Sequence, residues 1–208
     1  MRLILASTSP RRREILALLG LPFEIIAPQF EEQVSPKTSI RTEVLDFAVN
    51  KARSVARQNP DAIVIGSDTM IDLDGTKMGK PCDFQDAKRM LGALSAKAHR
   101  IHTGLALIDC RGGPGFRGVE EVWVRMRDLS ERQIDAYLAC GESLDKAGAY
   151  SIQGRGAELI ESIRGDFLAA VGMPLKPIGE YLKSQGISFP LAVEQLYAEK
   201  SFPNWSRF

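Results

Sequence analysis

Leu3-Ile4-Leu5-Ala6-Ser7-Thr8-Ser9-Pro10-Arg11-Arg12-Arg13 sets a strand, a loop and a helix start in immediate succession. The apolar run reads as a buried strand over residues 2–6. Ser9 suits a helix N-cap and Pro10 the first helical position. Ile15, Leu16, Leu18 and Leu19 supply an apolar stripe up to Gly20, so residues 10–19 read as a helix. Three arginines crowd its first turn, where the backbone dipole is already positive. Such a start makes sense when an anion sits there, held by free backbone N–H groups, serine hydroxyls and guanidinium forks. On a wheel of about 100° per residue, Arg11 and Arg12 fall on the apolar side, while Arg13 and Glu14 fall away. A solvated run of charge is the plain alternative. The inward arginines and the preceding Ser7 and Ser9 favour a phosphate-bearing ligand.

Strand and helix signals continue outward from this start. Phe23–Ile26 reads as a short strand, and Phe30-Glu31-Glu32 opens a polar loop to about Ser39. Residues 42–57 form a long amphipathic helix, residues 62–72 an apolar strand, and Asp74-Gly75 a turn. Residues 84–94 are helical, 100–109 a strand, 111–115 a loop and 119–126 an alternating strand. Ser130 caps a helix to about Leu138. Gly141–Gly156 is rich in glycine and poor in apolar periodicity, and residues 174–183 form the last clear core helix. Strands and helices mix without strict alternation, which predicts an α/β fold with a mixed sheet. Residues 1–189 read as one domain. Residues 190–208, with Phe202, Trp205 and Phe208, read as an extension that packs on the body or a partner, or frays.

The 208 residues suffice for a substantial core. Lys and Arg number 27 against 26 Asp and Glu, a net charge of +1. No global basic field points to nucleic acid, so a basic site is local. No apolar run is long enough to cross a bilayer and no secretory leader is seen, so a cytoplasmic protein is expected. Cys82, Cys110 and Cys140 are widely spaced without a CxxC pair and read as free thiols in a reducing compartment. His99 and His102 lie three apart near a strand start, so they face opposite sides and cannot share one metal.

Several residues break the structural pattern. Val44, Leu45, Phe47, Ala48, Ala52, Val55 and Ala56 make the apolar arc of the long helix, and Lys51 falls inside it, with Arg53 and Arg57 opposite. A buried ammonium needs a partner, unless its stem snorkels to water. Asp68 interrupts an apolar strand, either as a catalytic or metal-binding carboxylate or as a turn cap, and Thr69 faces the other side. Gly79-Lys80-Pro81 lacks the spacing of a phosphate loop, but Lys80 can reach a phosphate as a point charge. Gln153 carries a donor and an acceptor on one amide, which matches the O4 and N3–H edge of uracil or thymine. A solvated loop amide is the alternative.

In this order the segments Leu5–Arg12, Gly66–Thr69, Gly79–Pro81, His102–Gly104, Gly141-Glu142, Asp145–Tyr150, Ile152–Ala157 and Val171–Leu175 resemble the Maf family of nucleoside triphosphate pyrophosphatases. The resemblance covers about residues 2–187. It implies a twisted mixed sheet flanked by helices, two lobes around a deep cleft, and a homodimer. It also implies hydrolysis between the α- and β-phosphates with a divalent cation, Mg2+ or Mn2+. By position, Asp68 is implied as general base and Ser7, Arg11, Arg12, Lys51 and Lys80 as phosphate binders. Glu32 is implied as a metal or water ligand, with Asp68 as the second carboxylate. Arg11, Thr69 and Gln153 match the branch acting on dTTP and UTP; the branch acting on 7-methyl-GTP lacks the Ile-Gln-Gly run. Leu168-Ala169-Ala170 departs from the family's usual aromatic-Asn-Val, and Met173 from its common leucine. A nucleotide-binding regulator of cell division is the alternative from another class, against which Asp68 argues: a pure binder gains nothing from an anion beside phosphates.

Overall fold

The computed structural model describes residues 2–190 and 192–208; Met1 and Leu191, within the 1–189 and 190–208 segments read above, lie outside the described residues. The strands are β1 (Arg2–Leu5), β2 (Glu24–Ile25), β3 (Ala62–Leu73), β4 (Thr76–Met78), β5 (Ala98–Asp109), β6 (Phe116–Met126) and β7 (Ile160–Arg164). The helices are α1 (Pro10–Ala17), α2 (Ile40–Ala56), α3 (Phe84–Leu94), α4 (Glu131–Leu138), α5 (Phe167–Val171), α6 (Leu175–Ser184) and α7 (Val193–Glu199). The strands hydrogen-bond in the order β2-β1-β3-β5-β6-β7, with β4 on β3.

The sheet is mixed, as the pattern predicts. β1 runs parallel to both β2 and β3, pairing Leu5 with Ile25 and with Ile65. Parallel neighbours need a crossover, and α1 and α2 supply the two. β3–β4 and β6–β7 are antiparallel. Asp74 and Gly75 both take positive φ and join β3 to β4 in a two-residue turn, as their sequence signals.

The described residues fall into two compact units. The first holds those up to Asp68, of Thr103–Glu120 and of Gly172–Glu199. Its core sets Ala48, Val49, Ala52 and Val55 of α2 against Ile4, Val64 and Ala106. α2 lies unusually close to β3 and β5. A Cβ on Gly66 would stand 2.3 Å from the Ala48 carbonyl oxygen, and one on Gly104 2.2 Å from that of Val44. Only glycine permits that approach, and it brings Lys51 of α2 down beside β3.

The second unit holds Thr69–His102, Glu121–Val171 and Lys200–Phe208. α4 begins in the capping box of Ser130 and Gln133. Gly141–Gly156 forms turns and short 3-10 segments rather than a helix, consistent with its glycines. Trp205 stacks on Phe167 at 5.4 Å between ring centroids, and Phe202 and Trp205 are buried. Residues 200–208 are therefore packed. α7 belongs to the first unit, where Val193 and Leu196 are buried.

Several boundaries differ from the sequence reading. β2 is only two residues long and exposed, and Phe23 and Ile26 flank it, the Ile26 N–H still donating to the Leu5 carbonyl at 3.1 Å. α2 starts earlier, at Ile40, because the Ser39 hydroxyl accepts from Thr42 N–H. Ser9 is the N-cap residue of α1, but its side chain makes no capping bond; its backbone N–H donates instead to Ser7 Oγ at 3.1 Å.

Candidate active site

The ion cluster of the first unit is built on rigid elements. Lys51 comes from α2 and Asp68 from β3, and their charged atoms lie 2.5 Å apart. Both side chains are buried. A second carboxylate, Glu32, reaches the same Lys51 Nζ at 2.5 Å from the exposed loop before α2. That loop is tied to α2 on both sides of Lys51. The Phe30 ring sits edge-on against Phe47, and Gln29 N–H donates to Ser54 Oγ. The polar loop is thus held where Glu32 meets the lysine. The partner that a buried ammonium requires is Asp68, so Lys51 does not snorkel.

Asp68 lies within β3, as the apolar run over residues 62–72 indicates, and the strand runs on to Leu73. Its Oδ1 accepts from Lys51, and its Oδ2 makes no hydrogen bond among the described residues. Burial pushes the Asp68 carboxyl above the usual carboxylate range, while Lys51 and Arg12 pull it back. A buried carboxylate with one open oxygen is a proton acceptor in waiting.

The arginines behave as the helical wheel indicates. Arg11 and Arg12 are half-buried; Arg13 and Glu14 are exposed. Arg12 Nε donates to the Gly172 carbonyl at 3.0 Å, and its Nη1 lies 3.5 Å from Ser7 Oγ. Burial lowers the Arg12 guanidinium from its ordinary value; Asp68 and Glu32 work against that shift and Arg11 adds to it. Arg12 remains a cation throughout the working pH range, since guanidinium is not deprotonated in proteins. Ser7, Arg11, Arg12, Glu32, Lys51 and Asp68 all belong to this unit.

Thr69, Lys80 and Gln153 belong to the second unit. Thr69 is half-buried and follows Asp68 along β3, with its side chain to the opposite face. Lys80 is exposed in the loop after β4, next to Gly79, whose carbonyl accepts from Gly148 N–H at 3.0 Å. Gln153 is half-buried in the glycine-rich stretch, and its backbone N–H donates to Ser151 Oγ at 3.1 Å.

The sequence pattern of the family described as Maf-like protein matches residues 2–185, most of the chain. The chain belongs to the Maf-like family. A dTTP/UTP pyrophosphatase of Moorella thermoacetica is 45% identical over 186 residues, covering 89% of this chain and 96% of that one. A dTTP/UTP pyrophosphatase of Symbiobacterium thermophilum is 47% identical over 174 residues, covering 84% and 89%. Among solved structures, a nucleoside-triphosphatase / dITP/XTP pyrophosphatase from Mycobacterium abscessus aligns with a TM-score of 0.41 at 15% identity, covering 89% and 96%.

The carbonyls of Gly172 and Gly104 and the Ser67 hydroxyl carry no role in the sequence reading. The Gly172 carbonyl takes Arg12, and it also lies 2.8 Å from Ser67 Oγ, which sits 2.9 Å from the Gly104 carbonyl. Gly172 thereby couples the arginine to the residue preceding Asp68. The only sequence signal was its place in Val171-Gly172-Met173-Pro174, since a backbone carbonyl leaves no side-chain signature. Asp68 and Glu32 are the carboxylates that meet at Lys51. Among the described residues, no three His, Cys, Asp or Glu side chains gather as a metal site by themselves. None of the described helices is long and apolar enough to cross a membrane.

Proposed function

We infer that this chain is a nucleoside triphosphate pyrophosphatase that hydrolyses dTTP and UTP to the monophosphate and pyrophosphate. It is a hydrolase of acid anhydrides. The observation that carries the chemistry is the buried Asp68, with one oxygen on Lys51 and the other open. In this reading, water attacks the α-phosphorus and Asp68 Oδ2 takes its proton. A new P–O bond forms, the bond to the bridging oxygen of the β-phosphate breaks, and pyrophosphate departs with the electron pair. Lys51 and Arg12 hold positive charge beside the oxygens that become more negative, which is where phosphoryl transfer is catalysed. A positioned base contributes ~10²–10⁴-fold. Ser7 and Arg11 complete the phosphate contacts. Lys80 is assigned a phosphate contact, and Arg11, Thr69 and Gln153 the choice of base, by their match to the family pattern.

We further propose a divalent cation, Mg2+ or Mn2+, held by Asp68 and Glu32. The donor set suits it: two carboxylates on hard oxygen, with phosphate oxygens and water to complete the shell. A bound cation would supply charge neutralisation and orientation at the phosphates. Lys51, which joins the same two carboxylates, would keep them together when the cation is absent. A homodimer acting in the cytoplasm, with modified pyrimidine triphosphates as further substrates, completes the proposal.

The test is a pyrophosphate-release panel with magnesium or manganese across canonical, modified and 7-methylated triphosphates. Release from dTTP and UTP is expected. Release from 7-methyl-GTP alone would overturn the substrate assignment, and nucleotide binding without release from any triphosphate would favour a regulator.

A further inference from the structure

The amides of four successive residues in the glycine-rich stretch donate to side-chain oxygens. Gln153 N–H donates to Ser151 Oγ and Gly154 N–H to Asn204 Oδ1, each at 3.1 Å. Arg155 and Gly156 N–H reach the two carboxylate oxygens of Glu142, at 3.4 Å each. Ser151 and Glu142 are local to the stretch. Asn204 lies 50 residues further along the chain, outside the 2–185 span that the family pattern matches.

Asn204 is itself held firmly. It sits at φ +67°, a left-handed conformation that asparagine tolerates better than most residues. Its neighbour Trp205 stacks nearly flat on Phe167, at 10° between planes, and Phe208 stacks on the same ring at 6.0 Å. Lys200 Nζ donates to the Phe208 carbonyl at 3.2 Å and closes the segment on itself. All of these residues belong to the second unit.

The consequence falls on Gln153. A peptide group is planar, so the Gly154 N–H and the Gln153 carbonyl lie in one plane and the Gln153 N–H in the preceding one. Ser151 fixes one plane and Asn204 the other. With both planes fixed, the Cα–Cβ bond of Gln153 has one direction. A glutamine amide presents a donor and an acceptor and can turn over to offer them in either order. It distinguishes uracil from cytosine only if its approach is constrained.

We propose that Asn204 is a positioning residue for base selection: residues 200–208 lock the backbone that aims Gln153 at the pyrimidine edge. The proposal rests on the reading of Gln153 as the base-reading amide, and the experiment separates the two. Asn204→Gly removes the acceptor while relaxing the positive φ. Asn204→Asp keeps an oxygen acceptor, and Gln153→Ala removes the reader. For each variant kcat and KM are measured with UTP and with CTP, which differ only along the edge in question, and Tm is recorded alongside. Asn204→Gly is expected to lower the UTP-to-CTP ratio of kcat/KM by about fivefold, the worth of an ordinary hydrogen bond. The loss should fall mainly on KM for UTP, and Asn204→Asp should restore the ratio. If Gln153→Ala flattens the ratio while Asn204→Gly leaves it unchanged, the role of Asn204 is overturned and the reading of Gln153 stands. An equal fall with both nucleotides also overturns it, since that is the mark of a merely structural residue. If Gln153→Ala leaves the ratio intact, the reading of Gln153 fails and the proposal fails with it.

Discussion

Asp68 and Asp72 lie four residues apart on β3, are equally buried, and are held in opposite ways. Asp72 has both oxygens committed: Oδ1 accepts from Gly75 N–H at 2.7 Å and Oδ2 from Arg100 at 2.6 Å. Its neighbourhood is a closed structural network that sets the turn into β4. Asp68 commits one oxygen to Lys51, and among the described residues its other oxygen is open. Burial lifts its carboxyl above the usual range. Burial is common to the two positions; spare acceptor capacity is not. A buried carboxylate left half-satisfied costs stability that folding alone does not require, so its retention points to chemistry.

The largest expected effect tests that contrast directly. Asp68→Asn should lower kcat for dTTP by about 10²–10⁴-fold while nucleotide still binds. Asp72→Asn should leave kcat within about twofold, because no step falls to Asp72. Steady-state kinetics with a parallel binding titration reads both. An equal loss in the two variants would remove the distinction. The pH profile sharpens it. The base acts as the carboxylate, so kcat/KM should rise with pH through a carboxyl value above the ordinary ~3.9 and then level. A limb at or below that value would mean Lys51 and Arg12 outweigh burial.

Next in size is Lys51→Met. Removing the ammonium leaves the buried Asp68 uncompensated, at a cost of about 3 kcal/mol near neutral pH. Without Lys51 the Asp68 carboxyl rises further, so acidification neutralises it sooner and the deficit should shrink. Urea unfolding of variant and parent at about pH 8 and about pH 5 checks the sign. A deficit that does not shrink on acidification would overturn Asp68 as the buried group that Lys51 compensates.

Much of this was legible in the sequence, and the reasons differ residue by residue. Helical periodicity turned Lys51, Arg11 and Arg12 inward and Arg13 outward, because one apolar face settles the rotation of a helix. The mixed sheet follows from strands and helices that alternate only in part; which strands pair, and in which direction, was not legible. The partnership of Lys51 with Asp68 was not legible, since periodicity says which face is buried but not what lies against it. The place of Asp68 inside an apolar strand was legible; that Lys51 takes only one of its oxygens was not. The Gly172 carbonyl and the reach of Asn204 to Gly154 arise from long-range folding, and neither leaves a local pattern.

A smaller effect is expected at the structural aspartate. Asp72→Asn keeps the shape but weakens the bond to Arg100, which is partly exposed at its far end. A loss of about 1–3 kcal/mol is expected, with activity retained. Urea unfolding combined with the kinetics above separates the two properties in one variant.

The smallest effect concerns His102, which stands against Asp72 without bonding it. Its Nε2 is 3.6 Å from Asp72 and its Nδ1 3.7 Å from Glu121, and neither ring nitrogen has a hydrogen-bond partner among the described residues. Burial pushes the ring's pKa down; Glu121 and Asp72 pull it up, and Arg100 pushes it down again. The fold thus favours the neutral ring. A depressed histidine gives stability that is complete above its unfolded value of about 6.5 and is lost as the pH falls through and below that value. His102→Leu should therefore stay within about 1.5 kcal/mol of the parent near neutral pH. It should also lose less stability between about pH 7.5 and about pH 5.5. His99, pushed down to about 4 by burial and bonded to Tyr150, remains in both proteins and keeps part of the acid sensitivity. A steeper acid loss in the variant than in the parent would mean that His102 is charged in the fold, bridging Asp72 and Glu121. Asp72 would then face a second cation besides Arg100, and its contrast with Asp68 would narrow.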